Sequence, residues 1–188
     1  VNRGLLIREE DCPTVAWKNG GGTTREIAAF PPGAGMDDFL WRISAARVAT
    51  AGPFSRFAGI DRTIAILEGT LRLDVDGHTP VHLSSDTAPF AFAGDRPTSG
   101  TPIGGEVLDL NLMMRRGHGA GMIQPVAAGP VHGAVGTTLL FALVGTELTL
   151  DGQSIIMQAH DVFMAPEAPF DASTSQPMLM ISIDTSNG

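Results

Sequence analysis

Two stretches of the chain repeat one pattern. "RTIAILEGTLRLDVDG" (Arg62 to Gly77) and "TLLFALVGTELTLDG" (Thr138 to Gly152) each run from an apolar segment through a Gly-Thr break into an alternating segment, and each ends in Asp-Gly. Alternation at period two sends successive side chains to opposite faces, the signature of a half-buried strand. Asp-Gly supplies the positive φ that a two-residue hairpin turn demands. The spacing differs by one residue between the copies, so one of them carries a bulge or a slip. The same alternation recurs where Leu108, Leu110 and Leu112 oppose Asp109, Asn111 and Met113, and where Arg42, Ser44 and Ala46 oppose Trp41, Ile43 and Ala45. Helical periodicity is hard to find. The 23 glycines and 13 prolines gather in turn signals such as "FPPGAG" and "FAGDRP", which predicts many turns and few long helices. Short strands at this spacing point to an antiparallel sandwich or barrel.

At 188 residues the chain holds one domain, or two small halves with a shared core, and needs no disulfide staples. An apolar strand followed by "EGTLRLDVDG" resembles the cupin fold, a small β-barrel of jelly-roll type. The expectation is therefore an all-β bicupin, with two cupin-like barrels in one chain and few short helices. The expected halves are 1–116, which carries the distinctive motifs, and 117–188, sharing an intertwined single-chain architecture.

The formal charge of −8, with only 12 Lys and Arg, leaves no basic face to displace counterions from a nucleic acid. A single cysteine, Cys12, allows no internal disulfide and fits a reducing compartment. No run of 18 apolar residues and no charged-then-apolar start is present. The expected setting is cytoplasmic, away from membranes.

Cupin enzymes usually hold a metal through a His-x-His pair, a nearby carboxylate and a later histidine. The five histidines here, His78, His82, His118, His132 and His160, form no such pair. His78 and His82, four apart on a strand, would stand about 13 Å apart, too far to share an ion held at about 2 Å from each ligand. Neither a metal nor any other cofactor is expected.

Three clusters carry polar chemistry instead. The first is "VAWKNGGGTTREIAAF". It is not a phosphate loop, because the lysine precedes the glycines and a strand follows them. The glycines either present bare N–H groups to a small anion or mark a crossing too tight for side chains. Lys18, Asn19, Thr24, Arg25 and Glu26 would supply directional contacts, Thr24 and Glu26 on one strand face and Arg25 on the other. The second is "WRISAARVATAGPFSRFAGIDRTIAILEG", with Arg42 and Ser44 on one face. Here Ser55, Arg56, Asp61 and Arg62 fall in a polar loop beside Phe54 and Phe57, an arrangement that fits either a ligand site or a salt-bridge set pinning the loop. The third is "GGEVLDLNLMMRRG". Its Asp109 and Asn111 point into solvent, into a cavity, or between sheets with their hydrogen bonds satisfied internally.

Together, "WKNGGGTTREIA", the "WRISAARVATAGPFSRFAGIDRTIAILEG" stretch, "FAFAGD" and "VLDLNLMMRRG" resemble the HutD family, which includes the Ves-type proteins. The resemblance spans about Val15 to Gly117. It implies a metal-free bicupin, often encoded beside the enzymes of histidine utilisation, with a regulatory or metabolite-sensing role. Three functions are compatible with these residues. The first is binding of a small carboxylate metabolite, urocanate or formylglutamate-like, gripped by Arg42, Arg62 and Lys18 through paired hydrogen bonds. Asn19, Thr24, Ser55 and Asn111 would orient it and Phe57 and Trp41 would wall it. The second is metal-independent acid–base catalysis through Glu26, Asp61 or Asp109. The third is a protein-binding scaffold presenting Met157, Met164, Met178 and Met180. A homodimer is compatible with each.

Overall fold

The computed structural model describes residues 4–167 and 169–185. Apart from a single 3-10 turn at Glu9–Asp11, its regular elements are strands, so the expected all-β class holds. In chain order they are β1 (Leu5–Ile7), β2 (Thr14–Ala16), β3 (Gly22–Phe30), β4 (Trp41–Val48), β5 (Gly52–Pro53), β6 (Ile60–Val75), β7 (Val81–Ser84), β8 (Phe90–Ala93) and β9 (Thr98–Arg115). Then come β10 (Ala120–Val126), β11 (Gly129–Gly133), β12 (Thr137–Ala142), β13 (Thr146–Leu150), β14 (Gln153–Met157), β15 (Val162–Met164), β16 (Phe170–Thr174) and β17 (Met178–Asp184).

The chain divides into two compact units. One runs from Pro13 to His118; the other joins the segment through Cys12 to everything from Gly119 onward. The first strand sits with the C-terminal unit rather than with the strands that follow it. There β1 pairs with β15, Leu6 opposite Phe163. Arg8 donates to buried Asp161 at 2.7 Å, and the N–H groups of Glu9 and Gln158 donate to the same carboxylate.

In the Pro13–His118 unit the strands order as β2-β3-β4-β9-β6-β7, with β5 on β9 and β8 on β6. The apolar end of its interior is filled by Val48, Ile64, Ile66, Leu71, Leu73 and Phe92, among others. The other unit has a five-stranded sheet, β1-β15-β12-β17-β10, and a four-stranded one, β11-β16-β13-β14. Its core contains Leu140, Leu148, Met157, Phe163, Phe170 and Met178. Met157 and Met178 are fully buried and Met180 packs against that core. The methionines expected to present a docking surface are therefore largely core residues, because alternation along β14 and β17 turns them inward.

The repeated pattern takes two forms. The first copy is a single strand, β6, whose register against β9 shifts between Ile66 and Glu68 and again between Glu68 and Thr70. Gly69 stands in this break with φ +82, and a Cβ there would lie 2.7 Å from the Glu106 carbonyl oxygen. The second copy splits into β12 and β13, which belong to different sheets. The extra residue of the first copy falls after the Gly-Thr break, between Thr70 and Asp76, where β6 pairs with β9 without a shift. The bulge lies upstream of it, in a stretch of equal length in both copies.

Candidate functional site

Register alone assembles most of the site. On β4, β9 and β6, Arg42, Met113 and Arg62 are direct partners across the ladder. The next row places Glu26 of β3 beside Ser44, Asn111 and Ile64; the third places Thr24 beside Ala46, Asp109 and Ile66. Because side chains alternate at period two, all three rows project from one face. The backbones carrying Arg42 and Arg62 are two ladder spacings apart, roughly 9.5 Å. A cavity of about 800 Å³ opens on this face.

Of the residues expected at the site, Lys18, Asn19, Thr24, Glu26, Arg42, Ser44, Ser55, Phe57, Arg62, Asp109 and Asn111 line this cavity. Two do not. Arg25 is buried on the opposite face of β3, as its odd position in the alternation requires. Asp61 precedes Arg62 on β6, which already begins at Ile60, so the segment read as loop is strand at this point. Asp61 points outward and binds Arg116 at 2.7 Å. Trp41, expected as a wall, likewise falls opposite Arg42 and stacks on Phe30. Trp17, Phe54 and Met113 take the wall position instead. Met113 was legible from its place in the Asp109–Asn111–Met113 alternation.

The glycine run behaves as a tight crossing. The Gly21 carbonyl accepts from the N–H groups of Ala49 and Thr50, and the Gly21 N–H donates to Asn19 Oδ1. A Cβ on Gly22 would run into the carbonyl oxygen of Arg47. The run does not line the cavity with bare N–H groups; it brings Lys18 and Asn19 to the rim. Trp17 Nε1 donates to Thr24 Oγ1 at 2.7 Å, which fixes the indole against the same wall.

Inside, the two guanidinium groups are held differently. Arg42 Nε donates to Glu26 at 2.7 Å and Nη1 to Ser44 Oγ at 3.2 Å. Arg62 Nε donates to Asn111 Oδ1 at 3.1 Å. Its guanidinium carbon lies 5.3, 5.8 and 5.1 Å from the ring centroids of Phe54, Phe57 and Phe92, within cation–π range. Nη2 of neither arginine is hydrogen-bonded to another described residue. Burial pulls the Arg62 pKa down to about 10, with Asp109 opposing and Arg42 adding to the fall. It stays charged at neutral pH.

Asp109 is 1% exposed. It accepts a hydrogen bond from Asn111 Nδ2 at a long 3.4 Å, so Asn111 bridges Asp109 to Arg62. Burial raises the Asp109 pKa to about 7, against the pull of Arg62 and the Asn111 hydrogen bond. The cavity therefore holds three cations, Lys18, Arg42 and Arg62, against Glu26, which is paired, and Asp109, which is half protonated near neutrality. Its field favours an anion.

No histidine lines the cavity. Among the described residues no group of three or more His, Cys, Asp or Glu is placed to hold a metal ion. No helix is long and apolar enough to cross a membrane.

The HutD family model matches residues 9–179. An uncharacterised 21.2 kDa protein from the hutC 3′ region of Pseudomonas putida is 37% identical over 153 residues, covering 80% of each chain. The structure of HutD from Pseudomonas fluorescens SBW25 superposes with a TM-score of 0.83 at 31% identity, covering 95% of this chain and 97% of that one. An oxalate decarboxylase variant from Bacillus subtilis, a cupin-fold protein, matches with a TM-score of 0.64 at 10% identity over 99% of this chain and 78% of that one. That likeness shows the fold alone. With a family model spanning most of its length and a relative aligned over four-fifths of it, this chain belongs to the HutD family.

Proposed function

We propose that the cavity binds a small carboxylate metabolite, urocanate or a formylglutamate-like acid, in an accessory or regulatory role in histidine utilisation. One observation carries the reading: Arg42 and Arg62 converge on one hollow, and each keeps a nitrogen that makes no bond to the described residues. A carboxylate between them would take charge-assisted hydrogen bonds from both sides. Trp17, Phe54 and Phe57 would exclude water from it. The hutC-region relative supplies the metabolic context. Titration calorimetry against urocanate and formylglutamate is the test. Saturable binding by the wild type, lost in Arg62→Ala, is expected; no heat from either acid at millimolar concentration defeats the reading.

Asp109 favours a second reading, metal-independent acid–base catalysis. A buried carboxyl that titrates near pH 7 suits proton transfer. Asp61 drops out of this role because it faces outward onto Arg116. Turnover of a pathway acid that disappears in Asp109→Ala, while binding persists, would establish this reading.

A further inference from the structure

The two carboxylates that line the cavity are not equivalent. Glu26 is half-exposed and engaged by Arg42 Nε. Asp109 lies deep, shielded by Ile66 and Ala46 in its own row, and receives one long hydrogen bond from an uncharged amide. An ionised carboxylate offers about four acceptor sites, and burying it with so little donation is costly. The charged groups facing it can all be named. Arg62 of β6 reaches it through Asn111; Arg42 of β4 and Glu26 of β3 form a pair one to two rows away; Lys18 stands at the rim. Among these, Arg62 is the cation that Asp109 feels most.

Resting on the carboxylate-binding reading, we propose that Asp109 is a proton-linked gate on ligand affinity, competing with the ligand's carboxylate for the charge of Arg62. When Asp109 is ionised, part of the Arg62 field is already neutralised, and a second anion arriving beside it is repelled. When Asp109 takes a proton from the buffer, the carboxyl becomes neutral and Arg62 is left to the ligand. An arriving anion in turn favours that protonation, so binding and proton uptake are reciprocal. Asn111 is the positioning residue of the device, because its amide touches both members, accepting from Arg62 and donating to Asp109.

The direction follows from linkage. In the free protein Asp109 titrates near neutrality; with an anion bound its midpoint moves up. Between the two midpoints each added pH unit weakens binding, by up to about tenfold. N-formylglutamate is the appropriate probe, since its carboxylates ionise near pH 4 and carry no titration into this window. Calorimetry at pH 6, 7, 8 and 8.5, in buffers of differing ionisation enthalpy, should show the dissociation constant rising by threefold to tenfold per unit above neutrality. Uptake of up to one proton per ligand bound should accompany it. Asp109→Asn mimics the neutral form and should bind with a flat pH profile and no proton uptake.

Wild-type binding that is independent of pH, or an Asp109→Asn slope equal to the wild-type slope, overturns the gate and leaves the carboxylate reading standing. Absence of wild-type binding at every pH defeats both. A carbon-13 titration of the Asp109 carboxyl in the ligand-free wild type needs no variant to fold. A midpoint near neutrality supports the gate, and one in the ordinary carboxylate range overturns it.

Discussion

Asp109 and Asp161 are both buried aspartates, one in each unit, at 1% and 2% exposure. Their surroundings drive them apart. Burial pushes Asp161 upward too, but the N–H groups of Glu9 and Gln158 and the Arg8 guanidinium outweigh it and hold the carboxyl below its usual range. Asp109 has a long amide bond and a cation at one remove, and burial wins. Asp161 is a joint: its donors come from the first strand's tail and from its own turn, so the ion ties two distant segments of one unit together. Asp109 faces a hollow. Every Lys and Arg precedes Gly117, and Arg8, the only Lys or Arg among the described residues of the C-terminal unit, pairs with this buried acid. The lesson is that burial alone does not decide a carboxylate's task; the number of donors aimed at it does.

The contrast can be broken most forcefully at Arg62. Arg62→Ala should weaken carboxylate binding by roughly 30- to 4,000-fold, the range for truncating one side of a buried charge contact, measured by calorimetry on folded protein. Asp161→Asn comes next. It keeps the shape but loses the charge that three donors address, and should cost roughly 2–3 kcal/mol at pH 7, read by denaturant unfolding. Because the folded pKa of Asp161 is depressed, its stabilisation is present above the unfolded value near 4 and fades as pH falls through the folded one. The gap between Asp161→Asn and wild type should therefore close in acid.

Asp109→Asn should behave in the opposite sense. The folded pKa is raised to about 7, so the native state is favoured below the unfolded value near 4 and loses that advantage as pH rises to 7. Wild type and variant should match near pH 4, and the variant should be the more stable at pH 8, by about 1–3 kcal/mol after allowance for relaxation around the buried group. A variant less stable than wild type at pH 8 would place Asp109 with Asp161 and erase the contrast. The smallest effect belongs to Arg116, which binds Asp61 and both oxygens of Asp95 at the surface. Such exposed pairs are screened, and Arg116→Ala should unfold indistinguishably from wild type in 0.5–1 M salt, a regime of about 3–4 Å screening.

How much of this could be read in the chain beforehand varies by physical cause. Alternation gave the correct face for Arg42, Ser44, Asp109 and Asn111, because period-two geometry is local. The same rule excludes Arg25 and Trp41 from the cavity once the face of their neighbours is chosen. Asp61 was misplaced because β6 starts at Ile60 rather than after the Asp-Arg pair, and adjacent strand residues cannot share a face. The pairing of Leu5–Ile7 with Val162–Met164 joins segments more than 150 positions apart and left no local signal. The one-residue mismatch between the copies falls after the Gly-Thr break, so it gave no signal of the bulge around Gly69, which lies where the copies are equal in length. By aligning their Gly-Thr breaks, Arg62 corresponds to Thr138, so a shared strand plan ends in a cation in one unit and in a hydroxyl in the other.

The crossing at Gly22 also bears on how the entrance can change. Any side chain at this position would collide with the Arg47 carbonyl oxygen, so the turn that carries Lys18 and Asn19 would have to shift to admit it. Attempts to admit larger acids would therefore do better to trim the aromatic lining than to rebuild the threshold.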